Sequence, residues 1–361
     1  SEYGDKYSGG LGTYTANHLP VAIYAPQVDK TFFVYGGTTR QDERKLLIMI
    51  SYFDHKKGMV PKPVIVLDKK GVDDPHDNAS LAIDSQGYIW VFVSGRNVTR
   101  PGYIYKSTQP YGIDSFEKVH ETIMTYPQPW WIKDKGFIHL FTKYTAPGTH
   151  GRELYWSTSK DGKNWTPDKK LAGIEGHYQL SNVYKDRIFT VFNYHPEGSA
   201  DKRTNIYLLQ TDDMGKSWKT IDGKEVKIPL VNPQCEALVH DYKSENKLVY
   251  LNDMNFDKKG NPVILAVVSR HFQPGPKGDP HEWILVKWDG KRWIFNKICN
   301  STHNYDMGSL YIDSREWIVI GPTEAGPQHY GAGVEIAKWI SKHEGKTWEK
   351  LQDITQQRLL N

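Results

Sequence analysis

Ser80–Gly95 reads SLAIDSQGYIWVFVSG, an apolar strand, a short polar turn and a second apolar strand. The phrase returns as PWWIKDKGFIHLFTK over Pro129–Lys143 and as QLSNVYKDRIFTVFNYH over Gln179–His195, with starts about fifty residues apart, the period of a four-stranded propeller blade. In each copy a third strand and a Gly-and-Trp turn follow, so the units run from Ser80 to Val119, Pro129 to Leu171 and Gln179 to Ile221. Looser copies cover Leu19–Leu67, Lys247–Ile298 and Gly308–Leu351, six in all. Val226–Asn246 is strand-like without being a whole unit and is expected to contribute to a seventh blade. The expectation is an all-β, seven-bladed β-propeller, one domain over residues 1–361.

The turns between third and fourth strands carry the most specific local motif. Thr211–Trp218 (TDDMGKSW) is a complete Asp box, and Ser341–Trp348 is a second in which His343 replaces the Asp. Shortened forms occupy Ser159–Trp165 and Trp288–Trp293. The Asp accepts turn N–H groups, the Gly takes a backbone angle that other residues resist, and the Trp fills the gap between strands. These residues build the fold and do not react.

Composition restricts the partners. Aromatics at 13% and the lack of a long run with helical periodicity suit an almost all-β chain. A net charge of +4 without Lys/Arg blocks argues against nucleic acid and suits an acidic sugar. No apolar run is long enough for a membrane span. Cys235 and Cys299 allow at most one disulfide, and no Cys/His cluster suggests zinc. Sequons stand at Asn78, Asn97, Asn164 and Asn300. The sequence begins at Ser1 without a signal peptide or an initiating Met, so a processed or trimmed form is expected. The protein is also expected to be exported from a bacterium and monomeric.

In a propeller, the loop leading into the innermost strand and the loop leaving the second strand share one end of the axis. The leading loops hold His18, His76, Gln128, His177 and His303-Asn304-Tyr305-Asp306; the second-strand loops hold Arg40, Arg96, Lys143, Tyr144, Tyr194, His195, Arg270 and Glu324. A bare scaffold does not need such a ring. Each member also has a plain role: a lone His caps or packs, Arg96 and Arg100 pair with Asp73, Asp74 or Asp77, and Trp130 and Trp131 are core or a sugar-stacking platform. The substrate-binding or alternative catalytic candidates are His76, Arg96, Trp130, His177, His195 and Tyr305, with no metal ligand among them.

The stretches YSGGLGTYTANHLPVAIY (Tyr7–Tyr24), DPHDNASLAIDSQGYIWVF (Asp74–Phe92), GHYQLSNV (Gly176–Val183), RTNIYLLQTDD (Arg203–Asp213) and HNYDMGSLYI (His303–Ile312) resemble the BNR-4 group of secreted propellers. That group includes uronate-specific polysaccharide lyases and glycoside hydrolase family 145. The resemblance to family 145 implies an exo-acting α-L-rhamnosidase releasing rhamnose from glucuronic acid in arabinogalactan, with His18 as the single catalytic base. The resemblance to the lyases implies β-elimination at a Rha-GlcA or ulvan uronate. Those lyases carry two His about twenty residues apart, and this chain has His76 but Arg96 at the second position, which a guanidinium cannot fill as a base. A non-catalytic glycan-binding propeller is the third reading. The two-carboxylate hydrolase route would need Asp77, Asp306 and Glu324 to converge. The partner implied is an acidic plant or algal polysaccharide, with no cofactor for the chemistry and at most a structural calcium.

Overall fold

A computed structural model describes residues 2–4, 17–96, 98–145, 151–176, 178–331 and 333–356. Its strands form six four-stranded antiparallel sheets, each from four consecutive segments. Blade 1 is β1 (Ala22–Ala25), β2 (Lys30–Gly37), β3 (Leu47–Asp54) and β4 (Val64–Asp68); blade 2 is β5 (Ala79–Ile83), β6 (Ile89–Val93), β7 (Gly102–Ser107) and β8 (Phe116–Thr122). Blade 3 is β9 (Thr125–Ile132), β10 (Gly136–Tyr144), β11 (Arg152–Ser159) and β12 (Lys169–Ala172); blade 4 is β13 (Gln179–Tyr184), β14 (Arg187–Tyr194), β15 (Thr204–Thr211) and β16 (Leu238–His240). Blade 5 is β17 (Leu248–Phe256), β18 (Pro262–Ser269), β19 (His281–Trp288) and β20 (Trp293–Ser301); blade 6 is β21 (Ser309–Ile312), β22 (Trp317–Glu324), β23 (Glu335–Ser341) and β24 (Glu349–Asp353). Innermost strands β1, β5, β9, β13, β17 and β21 succeed one another around the axis.

The propeller expectation holds, but the described residues form six blades and not seven. Val226–Asn246 yields only β16, the outer strand of blade 4. Its apolar residues Val226 and Leu230 are consumed in the core between blades 3 and 4. There the segment reaches back to blade 3: Leu230 N–H donates to Leu171 O at 2.9 Å and Gly173 N–H donates to Leu230 O at 2.8 Å. A segment that fills an existing interface has no apolar face left with which to found another sheet.

Apolar cores lie between successive blades, because both faces of each sheet are covered. The Asp boxes lock the outer turns as expected. Asp213 Oδ1 accepts Thr211 Oγ1–H at 2.8 Å and Ser217 N–H at 3.0 Å, and Trp218 is buried. Gly215 has φ +81°, and a Cβ there would stand 2.2 Å from Trp156 Nε1. Cys235 and Cys299 are free thiols. No helix among the described residues is long and apolar enough to cross a membrane.

Candidate functional site

The β4–β5 and β6–β7 loops of blade 2 place five charged side chains and one imidazole together. Asp74-Pro75-His76-Asp77 turns tightly because Pro75 presets the first residue of a 3-10 turn and Asp74 caps it, accepting His76 N–H at 3.0 Å. The cap folds the imidazole back, so that His76 Nδ1–H donates to Asp74 Oδ1 at 2.5 Å. Across from it, Arg96 N–H donates to Arg100 O at 2.9 Å and pinches the loop. Gly95 allows this approach, since a Cβ there would lie 2.0 Å from Arg100 O. Arg100 donates to Asp74 Oδ2 and to Asp77 Oδ1, each at 2.7 Å, and Lys69 lies 3.0 Å from Asp77 Oδ2. Among the described residues, the Arg96 guanidinium meets a carboxylate only through a long contact of 3.4 Å to Asp74.

These contacts set the protonation states. Burial depresses the His76 pKa below the ordinary imidazole value, against the pull of Asp74 and with the help of the Arg96 charge. Burial works against ionisation of Asp74, yet the His76 bonds and Arg96 overcome it and hold the carboxyl well below the usual carboxylate range. His76 is thus a neutral imidazole whose proton sits on Nδ1 and whose basic lone pair is on Nε2. Its side chain is 17% exposed and that of Arg96 24%.

A second cluster comes from blades 3, 4 and 5. In β9, Gln128 pairs with Leu140 and Thr125 with Thr142, so Tyr126 and Pro127 together face Phe141 as a bulge. Tyr126 takes φ +53°, a conformation that costs energy for a bulky residue, and its ring is thrown towards His76 (5.9 Å between centroids) and Tyr178 (5.5 Å). Arg152 opens β11 and donates to the Tyr178 hydroxyl at 2.7 Å, while the Arg203 guanidinium lies 4.4 Å from the Tyr178 ring centre. Burial would raise the Tyr178 phenol; the charges of Arg152, Arg203 and Arg96 outweigh it and bring the pKa below the ordinary phenol value. Tyr126 and Tyr144 move upwards through burial.

The sequence candidates distribute unequally over this site. His76, Arg96, His195 and Tyr305 belong to it: His195 is buried against Tyr178 at 5.0 Å and accepts from Arg152, and Tyr305 donates its hydroxyl to Asp201 while contacting Tyr250 edge-on at 5.0 Å. His177 lies outside the described residues. Trp130 belongs elsewhere: its indole N–H donates to Ser181 Oγ at 2.8 Å, and with Trp131 and Asn182 it lines a channel towards the Asp-box end. Tyr126, Tyr178, Arg152 and Arg203 were not candidates.

His18 does not occupy a reactive position. It is 1% exposed, its Nε2–H donates to His76 O at 2.9 Å, and Tyr126 packs edge-on at 5.2 Å. The three carboxylates of the hydrolase route are likewise committed to separate partners: Asp77 to Arg100 and Lys69, Asp306 to His303, and Glu324 to Lys350. A cleft of about 780 Å3 exists at the Asp-box end, lined by Lys135, Lys160, Asp161 and Asp213, but among the described residues none lining it is a His or Tyr for proton transfer. Among the described residues no group of three or more His, Cys, Asp or Glu is placed to hold a metal ion.

The sequence pattern of the BNR repeat-containing family matches residues 42–301. An ulvan lyase of Alteromonas sp. (strain LOR) is 23% identical over 61% of this chain and 52% of its own, and an ulvan lyase of Pseudoalteromonas sp. (strain PLSV) is 21% identical over the same shares. The chain therefore spans about half the length of the curated relatives it matches. Among solved structures, a polysaccharide lyase family 25 ulvan lyase bound to -[GlcA(1-4)Rha3S]- superimposes with a TM-score of 0.77 at 15% identity, covering 98% of this chain and 86% of that one, which shows the shared fold. The α-L-rhamnosidase expectation is thereby corrected. The matching relatives are lyases, and the His18 on which the hydrolase rested is a buried support under His76.

Proposed function

The chain belongs to the BNR repeat-containing family, and from that premise we propose that it is a polysaccharide lyase cleaving an acidic, uronate-containing glycan by β-elimination. The observation that carries the reading is that His76 and Tyr178 flank the Tyr126 ring at 5.9 and 5.5 Å, with Arg152 donating to the Tyr178 hydroxyl at 2.7 Å, so an imidazole and a phenol held by a guanidinium share one end of the propeller. A uronate C5 proton becomes removable when the adjacent carboxylate is neutralised. Arg96, partly exposed and only loosely held by Asp74, supplies that charge beside His76.

His76 Nε2 accepts the C5 proton, the C4–O4 bond breaks, and C4=C5 forms. Tyr178 gives its proton to the departing O4, leaving a phenolate that Arg152 and Arg203 stabilise. No water is consumed, which separates the step from hydrolysis. The names of the ulvan lyases make ulvan the first substrate to try. Export belongs to the same proposal, because a polymer of that size is met outside the cell.

The test is product analysis on ulvan and on gum arabic. The expected product is an oligosaccharide with an ultraviolet-absorbing unsaturated uronate at its new non-reducing end. Free rhamnose beside a saturated uronate, or binding without any cleavage, would overturn the reading.

A further inference from the structure

The cleft of about 780 Å3 at the Asp-box end does not stand alone. A second one of about 480 Å3 shares Asp134, Lys135, Lys160 and Asp161 with it, so the two form one open groove across blades 2, 3 and 4. Short turns build it: β5–β6 in blade 2, β9–β10 and β11–β12 in blade 3, and the Asp box that follows β15 in blade 4. These turns lie at the other end of the strands from the β4–β5 loop that carries His76, and the elimination step makes no use of them.

Most carboxylates of the groove are spent on the protein itself. Asp84 Oδ1 accepts the N–H groups of Gln86 and Tyr88 at 2.9 and 3.0 Å, and Asp161 Oδ1 accepts those of Lys163 and Asn164 at 2.9 and 2.8 Å. Asp213 accepts Ser217 N–H at 3.0 Å and its Oγ–H at 2.6 Å, and Asp212 pairs with Lys219 at 3.2 Å. The ammonium groups are not spent in the same way. Lys135 pairs with Asp186 at 3.0 Å, but among the described residues Lys160 and Lys216 meet no carboxylate, and Lys106 lies over the Tyr88 ring at 4.0 Å without one. The groups left to meet a ligand are therefore three ammonium ions and the Asp134 carboxylate, a surplus that suits an acidic partner. The wall between blades 2 and 3 is the half-buried Trp131, whose indole N–H donates to Ser85 Oγ at 2.7 Å and whose ring packs edge-on against Phe137 at 4.9 Å. A fixed indole bordered by polar groups suits the C–H face of a sugar ring.

We propose that this groove is a second, non-catalytic binding site for an acidic polysaccharide chain, with Trp131 stacking on a sugar ring and Lys106, Lys160 and Lys216 meeting the acid groups. The choice of polymer rests on the lyase reading. The protein then grips its substrate twice, cleaving at one end of the propeller and retaining the chain, or its neighbour, at the other.

The eight residues of β14 span about 26 Å from one end of the propeller to the other, so an ulvan tetrasaccharide engages one end only, whereas the polymer engages both. The experiment compares Lys160→Glu/Lys216→Glu with the unaltered protein on these two substrates. Both lysines are exposed, so the variant keeps the fold, which circular dichroism checks. On the tetrasaccharide kcat/KM should agree within about twofold. On the polymer KM should rise about 10-fold or more at unchanged kcat, the avidity that a second grip lends. An unchanged KM on the polymer, or an equal loss on the tetrasaccharide, would overturn the groove while leaving elimination standing. Affinity electrophoresis through gels holding ulvan or the neutral polymer dextran gives a readout without turnover. Ulvan should retard His76→Gln strongly and His76→Gln/Lys160→Glu/Lys216→Glu much less, and dextran should retard neither. Equal retardation of the two proteins by ulvan, or retardation by dextran as strong as by ulvan, overturns the proposal. If no polymer is eliminated, the lyase reading falls, and the same retardation still judges the groove.

Discussion

Asp74 grips His76 twice, accepting its backbone N–H at 3.0 Å and its Nδ1–H at 2.5 Å through one oxygen. The carboxylate therefore fixes both the position and the tautomer of the imidazole, leaving Nε2 as the basic atom. Asp74→Asn should lower kcat by roughly 10²-fold, the scale of disturbed acid-base catalysis. It should also shift the acid limb of the pH–rate profile. Burial and Arg96 lower the His76 pKa while Asp74 raises it, so the unaltered enzyme should lose activity only below the imidazole's ordinary 6.5, and the variant at still lower pH. An acid limb that stays in place would remove His76 from the role of base.

Tyr178 supplies the other limb. As the proton donor it must be protonated, so activity should fall as pH rises through its pKa, which lies below the phenol's ordinary 10.0. Tyr178→Phe keeps the ring that stacks on Arg203 and loses the hydroxyl that accepts from Arg152. It should retain native circular dichroism and lose about 10²- to 10⁴-fold in kcat, together with the basic limb. A folded variant with near-normal turnover would assign O4 protonation to another group.

His18→Ala deletes a buried ring and the donor to His76 O. The expected loss is about 2–4 kcal/mol of stability, from a cavity plus one unpaired carbonyl, read from urea denaturation. Turnover of the protein that remains folded should fall far less than in His76→Gln. A stable His18→Ala with abolished elimination would restore a catalytic role to His18.

His139 gives the fold a pH dependence of its own. It is 2% exposed between Phe92, Phe141 and Trp165, and burial lowers its pKa to about 3 from 6.5. The unfolded chain therefore binds this proton first as pH falls. The stability of neutral His139 is complete above about 6.5 and is lost towards about 3, at up to roughly 1.4 kcal/mol per pH unit. Denaturation midpoints measured across that window should show a slope that His139→Phe reduces. No change in slope would mean that other groups govern acid unfolding.

Much of the fold was legible because its signals are local and repeated. The turns at Asp84-Ser85-Gln86-Gly87 and Lys133-Asp134-Lys135-Gly136 punctuate strand pairs that need no long-range information. The number of blades was not legible, since Leu230 and Val226 look alike as free strand residues and as side chains filling a neighbour's edge. At the site, His76 and Arg96 were visible as polar residues in the right loops. Tyr126 was hidden inside a run that reads as ordinary strand, because a bulge adds one residue without altering composition. Tyr178 and Arg203 sit one position before their strands and Arg152 is the first residue of its own, where a small error in the boundary decides which end of the axis a side chain is assigned to. Trp130 was misplaced for the converse reason: alternation along β9 sends it into the interface with blade 4.

The strap that carries Leu230 onto Leu171 and Gly173 alters how the molecule can come apart. Blades of a propeller ordinarily open as neighbours in a ring, each free to fray at its outer strand. In this chain the outer strand of blade 3 is held by the polypeptide of blade 4, so neither can loosen without breaking the main-chain bonds of the other. Amide exchange at Leu230 and Gly173 should follow one shared opening event, slower than that of the free outer strands β4 and β24, and a protease should cut those two edges first. Arg152, Tyr178 and Arg203 all belong to the tied pair. Their spacing is therefore kept by main-chain hydrogen bonds crossing the blade boundary, and it persists through fluctuations that unravel the rim elsewhere.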